Sequence, residues 1–153
     1  MIAVIQRVSQ AAVHVDGHAI ASISRGFLIL LGIRTADSAS DADLLVRKIT
    51  DLRIFPDTDH QMNRSIRDIA GEILVVSQFT LLADCRKGRR PGFSDAAPPD
   101  QARSLYEYFS DQIRKTGVST ATGAFGQLMA VSLVNDGPVT ILLDSRDMLR
   151  RKS

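Results

Sequence analysis

A chain of 153 residues, 44% hydrophobic and 24% charged, has the make-up of one ordinary globular domain, expected to span 1–153. A single cysteine, Cys85, excludes an internal disulfide and a cysteine-rich zinc site. The net charge of +2 permits an anionic partner without requiring one. No apolar run approaches the ~18 residues of a membrane span, and Gln6 and Arg7 interrupt any leader-like stretch, so a reduced, cytoplasmic protein without a membrane partner is expected. The distribution of charge says more than its sum: Arg86, Lys87, Arg89 and Arg90 crowd together, and Arg150, Arg151 and Lys152 close the chain.

From the N-terminus, Asp16-Gly17 between β-rich flanks predicts a two-residue hairpin, with strands from about Ile2 to Ile23 and Val13 facing Ile20. Gly26 to Ile33 is a continuous apolar strand, the pattern of one buried on both faces. A helix is expected from near Ser40, with Asp41 and Asp43 facing the positive end of its dipole and Leu45, Ile49 and Leu52 on one side. Arg53 to Phe55 reads as a short strand stopped by Pro56-Asp57, and Ile73 to Leu82 as the strongest strand of all. Residues 83–97 form a basic loop containing glycine and proline. Pro98 and Pro99 then start a helix to about Lys115, with Ala102, Leu105, Phe109 and Ile113 as its apolar stripe and Gly117 as its cap. Met129, Val131 and Leu133 alternate. Asn135-Asp136-Gly137-Pro138 reads as a turn before a final strand, Val139 to Leu143. The sum is α+β: a largely antiparallel, barrel-like sheet with flanking helices.

Familiar catalytic patterns are missing. There is no phosphate-binding glycine loop and no nucleophile elbow. His14 and His18 have helical metal-pair spacing, but a hairpin turn lies between them, and no metal site is expected. Cys85 beside Arg86 and Lys87 has cations that would favour a thiolate, yet no histidine follows position 60. One local oddity remains: Ser77-Gln78-Phe79-Thr80 sets three polar residues between Val75-Val76 and Leu81-Leu82.

Together these segments resemble the D-aminoacyl-tRNA deacylase family over nearly the whole chain. The resemblance is carried by Ala3-Val4-Ile5-Gln6-Arg7-Val8, by Leu52-Arg53-Ile54-Phe55 with Met62-Asn63, and by two signatures, Ser77-Gln78-Phe79-Thr80-Leu81 and Asn135-Asp136-Gly137-Pro138-Val139-Thr140. Lys87-Gly88-Arg89-Arg90-Pro91, Ala96-Ala97-Pro98 and Leu105-Tyr106-Glu107-Tyr108-Phe109 match between them in the right order. His60-Gln61 and Gln127-Leu128 depart from the family's usual residues.

The resemblance implies a homodimer with active sites at the interface, no cofactor and no metal. It implies hydrolysis of the ester joining a D-amino acid, or glycine, to the 3′-terminal ribose of tRNA. By resemblance the catalytic set is Ser77, Gln78, Phe79 and Thr80, with the N–H groups of Phe79 and Thr80 facing the developing oxyanion. Gly137 and a cis Pro138 would clamp the substrate ammonium from the partner subunit and exclude an L side chain, with Asn135 in the same substrate-binding set. Phe125 and Met129 would meet the terminal adenosine, unless both are simply core. Arg86, Lys87, Arg89 and Arg90 would meet acceptor-stem phosphates, unless they form only a solvated loop. Two other readings stay open: a non-catalytic RNA-binding module, and a small-molecule hydrolase using Cys85.

Overall fold

The structure, a computed structural model, describes residues 1–150; Arg151 and Lys152 lie outside them. Strand β1 (Ile2–Val15) is the spine. It pairs antiparallel with β2 (His18–Ile23) along its second half, with β3 (Gly26–Gly32) along its first half, and with β8 (Ala130–Asp144) on its other edge. Strands β6 (Glu72–Ser77) and β7 (Ser119–Thr122) extend the sheet beyond β3, and β2 curls over toward them to give a nearly closed barrel. Strands β4 (Phe55–Pro56) and β5 (Met62–Arg64) form a separate small ladder.

The α+β class stands, with one difference: β3–β6 and β6–β7 are parallel pairs. A parallel return needs a long crossover, and the two main helices supply it. Helix α1 (Ala39–Asp51) lies in the chain between β3 and β6, and α2 (Pro99–Lys115) between β6 and β7. Both pack on one face of the sheet, where Phe27, Ile29, Leu31, Ile73 and Val75 meet Leu45, Ile49, Phe109 and Ile113. Leu28, Leu74 and Val76 point the other way, into a second cluster with Val8, Ala11 and Val13. Burial on both faces explains why β3 is apolar throughout. Each such side chain contributes about 1.5–3 kcal/mol when fully buried.

Several local expectations shift. The Asp16-Gly17 turn forms, with φ 50° and 78°, but a bulge between Val13 and His14 moves the register so that Val13 faces Ala21 rather than Ile20. Helix α1 starts earlier than Ser40, on Ser38, whose N–H donates to the Asp41 carboxylate at 2.9 Å. The short strand is Phe55–Pro56, not Arg53–Phe55. The strand expected to run to Leu82 stops at Ser77, and Phe79–Leu82 forms a 3₁₀ turn. No turn divides the last strand: Asn135–Pro138 lies inside the fifteen-residue β8. Strand β7 and the closing helix α3 (Ser145–Arg150) had no counterpart in the sequence reading.

Candidate active site

The first signature sits where β6 ends. Gln78 donates its N–H to the Leu31 carbonyl at 2.8 Å, the last tie to β3, and the chain then turns. Leu81 N–H closes the turn on the Gln78 carbonyl at 3.3 Å, and Ala83 N–H closes the next on Thr80 at 3.1 Å. The first N–H groups of any helical turn have no carbonyl behind them. Here those are Phe79 and Thr80, and neither donates a hydrogen bond among the described residues. Two adjacent backbone donors are therefore presented at the mouth of the turn. The Gln78 side-chain amide donates to Thr80 Oγ1, and among the described residues no carboxylate or imidazole touches that hydroxyl.

Phe125 and Met129 both lie near the end of β6 but pack on opposite faces of the sheet, Phe125 with the helix-side cluster and Met129 with the other. Gly123 N–H donates to the Val75 carbonyl at 3.0 Å, and a Cβ on Gly123 would lie 2.8 Å from Met129 Sδ and 3.6 Å from Val76. Met129 thus packs beside the strand that carries Ser77. Phe125 leans on Tyr106, with centroids 5.6 Å apart, and the Arg103 guanidinium lies 4.7 Å from its ring centre. A base stacking on that face would displace Arg103. Tyr106 donates to the Val75 carbonyl at 2.9 Å, and burial pushes its phenol up to about 12.

The second signature is a bulge, not a turn. Gln6 pairs with Thr140 and Val8 with Asn135, so four residues, Asp136 to Val139, stand against Arg7 alone. Within that bulge the Gly137–Pro138 peptide is cis and both residues are exposed. Arg7, which sequence reasoning passed over, organises it. Its Nη1 donates to the Ile54 carbonyl at 2.7 Å and its Nε to the Asp136 carbonyl at 3.0 Å, with Asp136 Oδ2 at 3.6 Å. Asn135 Nδ2 spans the bulge base by donating to the Arg7 and Val139 carbonyls, both at 3.0 Å. The missed signal was available: Arg7 continues the inward register of Ala3 and Ile5, which puts a charge on a buried face.

The two signatures do not meet within the chain. Ser77 aligns through Leu31 with Ala3 of β1, whereas Gly137 stands at Arg7 on the far edge. That separation is four residues along and three strand spacings across, roughly 13 Å and 14 Å on ordinary β geometry.

Similarity to known proteins identifies the family. A family model described as D-Tyr-tRNA(Tyr) deacylase matches residues 4–144. The chain belongs to that family. It is 58% identical over 145 residues to a D-aminoacyl-tRNA deacylase of Roseiflexus castenholzii, covering 95% of this chain and 92% of the relative. A second D-aminoacyl-tRNA deacylase, from Thermosipho melanesiensis, is 55% identical, with 95% and 98% covered. Among solved structures, a c-Myc DNA unwinding element binding protein superposes with a TM-score of 0.89 at 44% identity, over 94% of this chain and 98% of that one. A probable eukaryotic D-amino acid tRNA deacylase, 17% identical, shares the fold with a TM-score of 0.79 over 93% and 97%.

In this family member the basic loop is a closed excursion. Asp84 and Gly92 exchange backbone hydrogen bonds at 2.8 and 2.9 Å across its base. Arg86, itself exposed, folds back on Asp84, bidentate at 2.8 and 2.7 Å, and holds that carboxyl well below the usual range. Lys87, Arg89 and Arg90 are exposed and carry no salt bridge among the described residues. Cys85 is exposed on the wall of a cavity of about 520 Å³ with Arg34, Arg86 and Arg146, and no histidine lines it.

Proposed function

We propose that this D-aminoacyl-tRNA deacylase binds the ester oxygen of its substrate with the N–H groups of Phe79 and Thr80. The observation that carries the reading is this pair of unpaired backbone donors. Water attacks the ester carbonyl carbon, the C–O3′ bond breaks, and the ribose 3′-oxygen takes the proton, with the substrate's own 2′-hydroxyl assisting. Donors aimed at a developing oxyanion are worth roughly 2.7–4 kcal/mol each, which suits an ester already activated by its α-ammonium. Met129 and Phe125 line the adenosine end, and Lys87, Arg89 and Arg90 face acceptor-stem phosphates.

A second copy of the chain completes the site. Gly137 and Pro138 are too far from Phe79 in one protomer to share a single aminoacyl ester with it. They are exposed on β8, whose outward residues Val134 and Leu142 leave apolar surface uncovered. In the homodimer their carbonyls meet the substrate ammonium and leave room for hydrogen but not for an L side chain. Such a clamp admits glycine as well, so mischarged glycyl-tRNA is a substrate. Backbone selection also ignores which D side chain is present, as discrimination against only the L series requires.

The deciding assay follows release of tyrosine from D-tyrosyl-tRNA and L-tyrosyl-tRNA by the purified protein. D-selective release is expected. Equal rates would remove the clamp, tRNA binding without turnover would leave an RNA-binding module, and loss of turnover in Cys85→Ser would transfer the chemistry to the thiol.

Thr80 positions rather than attacks, because among the described residues no base reaches its hydroxyl to take its proton. Thr80→Ala should slow D-tyrosyl-tRNA hydrolysis by less than about ten-fold, against the 10²–10⁴ attached to a lost proton-transfer partner. A loss in that larger range, in a folded protein, would make Thr80 a nucleophile.

A further inference from the structure

The Phe79 ring is oddly placed for a residue whose backbone must hold still. It is 55% exposed and belongs to neither apolar cluster. The hydrogen bonds of the 3₁₀ turn order its peptides relative to one another, since the Gln78 carbonyl shares one plane with the Phe79 N–H, but they do not hold the exposed side of the turn against its surroundings. What the ring does touch is Phe93, edge to face, with centroids 5.0 Å apart and planes at 68°, an arrangement that aromatic pairs favour.

Phe93 is itself well anchored. It follows Gly92, which closes the basic loop on Asp84, and its carbonyl accepts the Ala96 N–H at 3.1 Å. The next residues return to the end of β3: Thr35 N–H donates to Asp95 at 3.1 Å, and Ala97 N–H donates to Ile33 at 2.9 Å. A side chain fixed at both flanks thus presses on the one exposed ring whose backbone carries the donors.

We infer that Phe93 is a positioning residue for the deacylation reaction, holding Phe79 and, through it, the orientation of the Phe79 and Thr80 N–H groups. The inference rests on those two groups being the donors to the ester oxygen. Phe93 has no contact with the reacting atoms in this role; it steadies, through the Phe79 ring, the turn that carries the donors. Small misplacements of such groups carry large kinetic costs.

The test uses the full chain with Phe93→Ala, Phe93→Leu and Phe93→Tyr, assayed on D-tyrosyl-tRNA and on D-tyrosyl-adenosine, which lacks the acceptor stem. Phe93→Ala should lower kcat about ten-fold on both substrates with KM held within about two-fold, the signature of an interaction made in the transition state. Phe93→Leu, which keeps apolar bulk if the alanine variant folds poorly, should lose about three-fold, and Phe93→Tyr should restore the wild-type kcat. A merely structural role would reduce the amount of folded enzyme without rescue by an edge-to-face ring. Unchanged kcat in Phe93→Ala, or a loss confined to KM on tRNA, would overturn the inference while the deacylase reading stands. Wild-type protein inert toward both esters would overturn that reading and this inference with it.

Discussion

Gly137→Ala is expected to cost a hundred-fold or more in kcat/KM for D-tyrosyl-tRNA, with the chain still folded. Gly137 has φ +129°, a conformation that side chains rarely adopt, and an added Cβ would lie 2.8 Å from Val139 Cγ2 and 3.0 Å from both Val139 N and Arg7 Nη2. Arg7 cannot step aside cheaply. Its guanidinium is already committed to the Ile54 and Asp136 carbonyls in a buried site, and moving it would strand both acceptors. The bulge must therefore give, carrying the carbonyls of the proposed clamp with it. A displacement near 1 Å is enough for about a hundred-fold loss where geometry does the catalysis. The strain itself is about 1–3 kcal/mol, a fraction of the ~5–15 kcal/mol that holds a domain folded. Kinetics on D- and L-tyrosyl-tRNA beside a thermal melt separate the two effects. Wild-type kcat/KM in a folded Gly137→Ala enzyme would remove Gly137 from the site.

Features set by neighbouring residues were legible in the sequence. The Asp16-Gly17 hairpin, the apolar β3 and the proline-led α2 each carry their own cause. The parallel pairs have a local mark too, since helical patterns between apolar strands accompany crossovers, but the hairpin signal of Asp16-Gly17 is the stronger one. The two signatures were harder because their shapes are set from far along the chain. Leu81 and Leu82 look like a strand continuing, yet β3 ends at Gly32, so a longer β6 would have had no partner there. The 3₁₀ turn is the consequence, and it exposes the two donors. Asn135 to Pro138 has the composition of a turn. It stays in the strand because Arg7 and Asn135 bridge it to β1, 128 residues away in sequence. Strand β7, Ser119-Thr120-Ala121-Thr122, has no apolar alternation to announce it and is recruited by β6.

Arg34→Ala should lower stability more than any exposed charge change, by up to about 3 kcal/mol, the low end of what breaking a buried pair costs, because Arg34 is buried and Asp144 partly so. Arg34 is buried and grips Asp144 with both nitrogens, Nη1 to Oδ1 at 3.0 Å and Nη2 to Oδ2 at 2.6 Å. This fork ties the end of β8, the strand that carries Gly137 and Pro138, to the segment after β3. Without it, Asp144 keeps, among the described residues, Arg146 at 3.5 Å as a counter-charge. For a domain this size, 3 kcal/mol is about 6–12 °C in Tm.

The pH dependence has a definite sign. Burial tends to raise the Asp144 pKa, but hydrogen bonds and charge from Arg34 outweigh it and leave the carboxyl below its ordinary value. A carboxylate favoured by the fold contributes in full above its unfolded pKa, about 3.9, and the contribution fades as pH falls through the folded value. The gap in Tm between wild type and Arg34→Ala should therefore be widest from pH 5 to 7 and narrow below about pH 4. Melts across that range decide it. Equal Tm values at pH 5–7 would place this pair with exposed ion pairs, whose net contribution is near zero, and the end of β8 would then be held by the packing of Ile141 and Leu143 against the helical core.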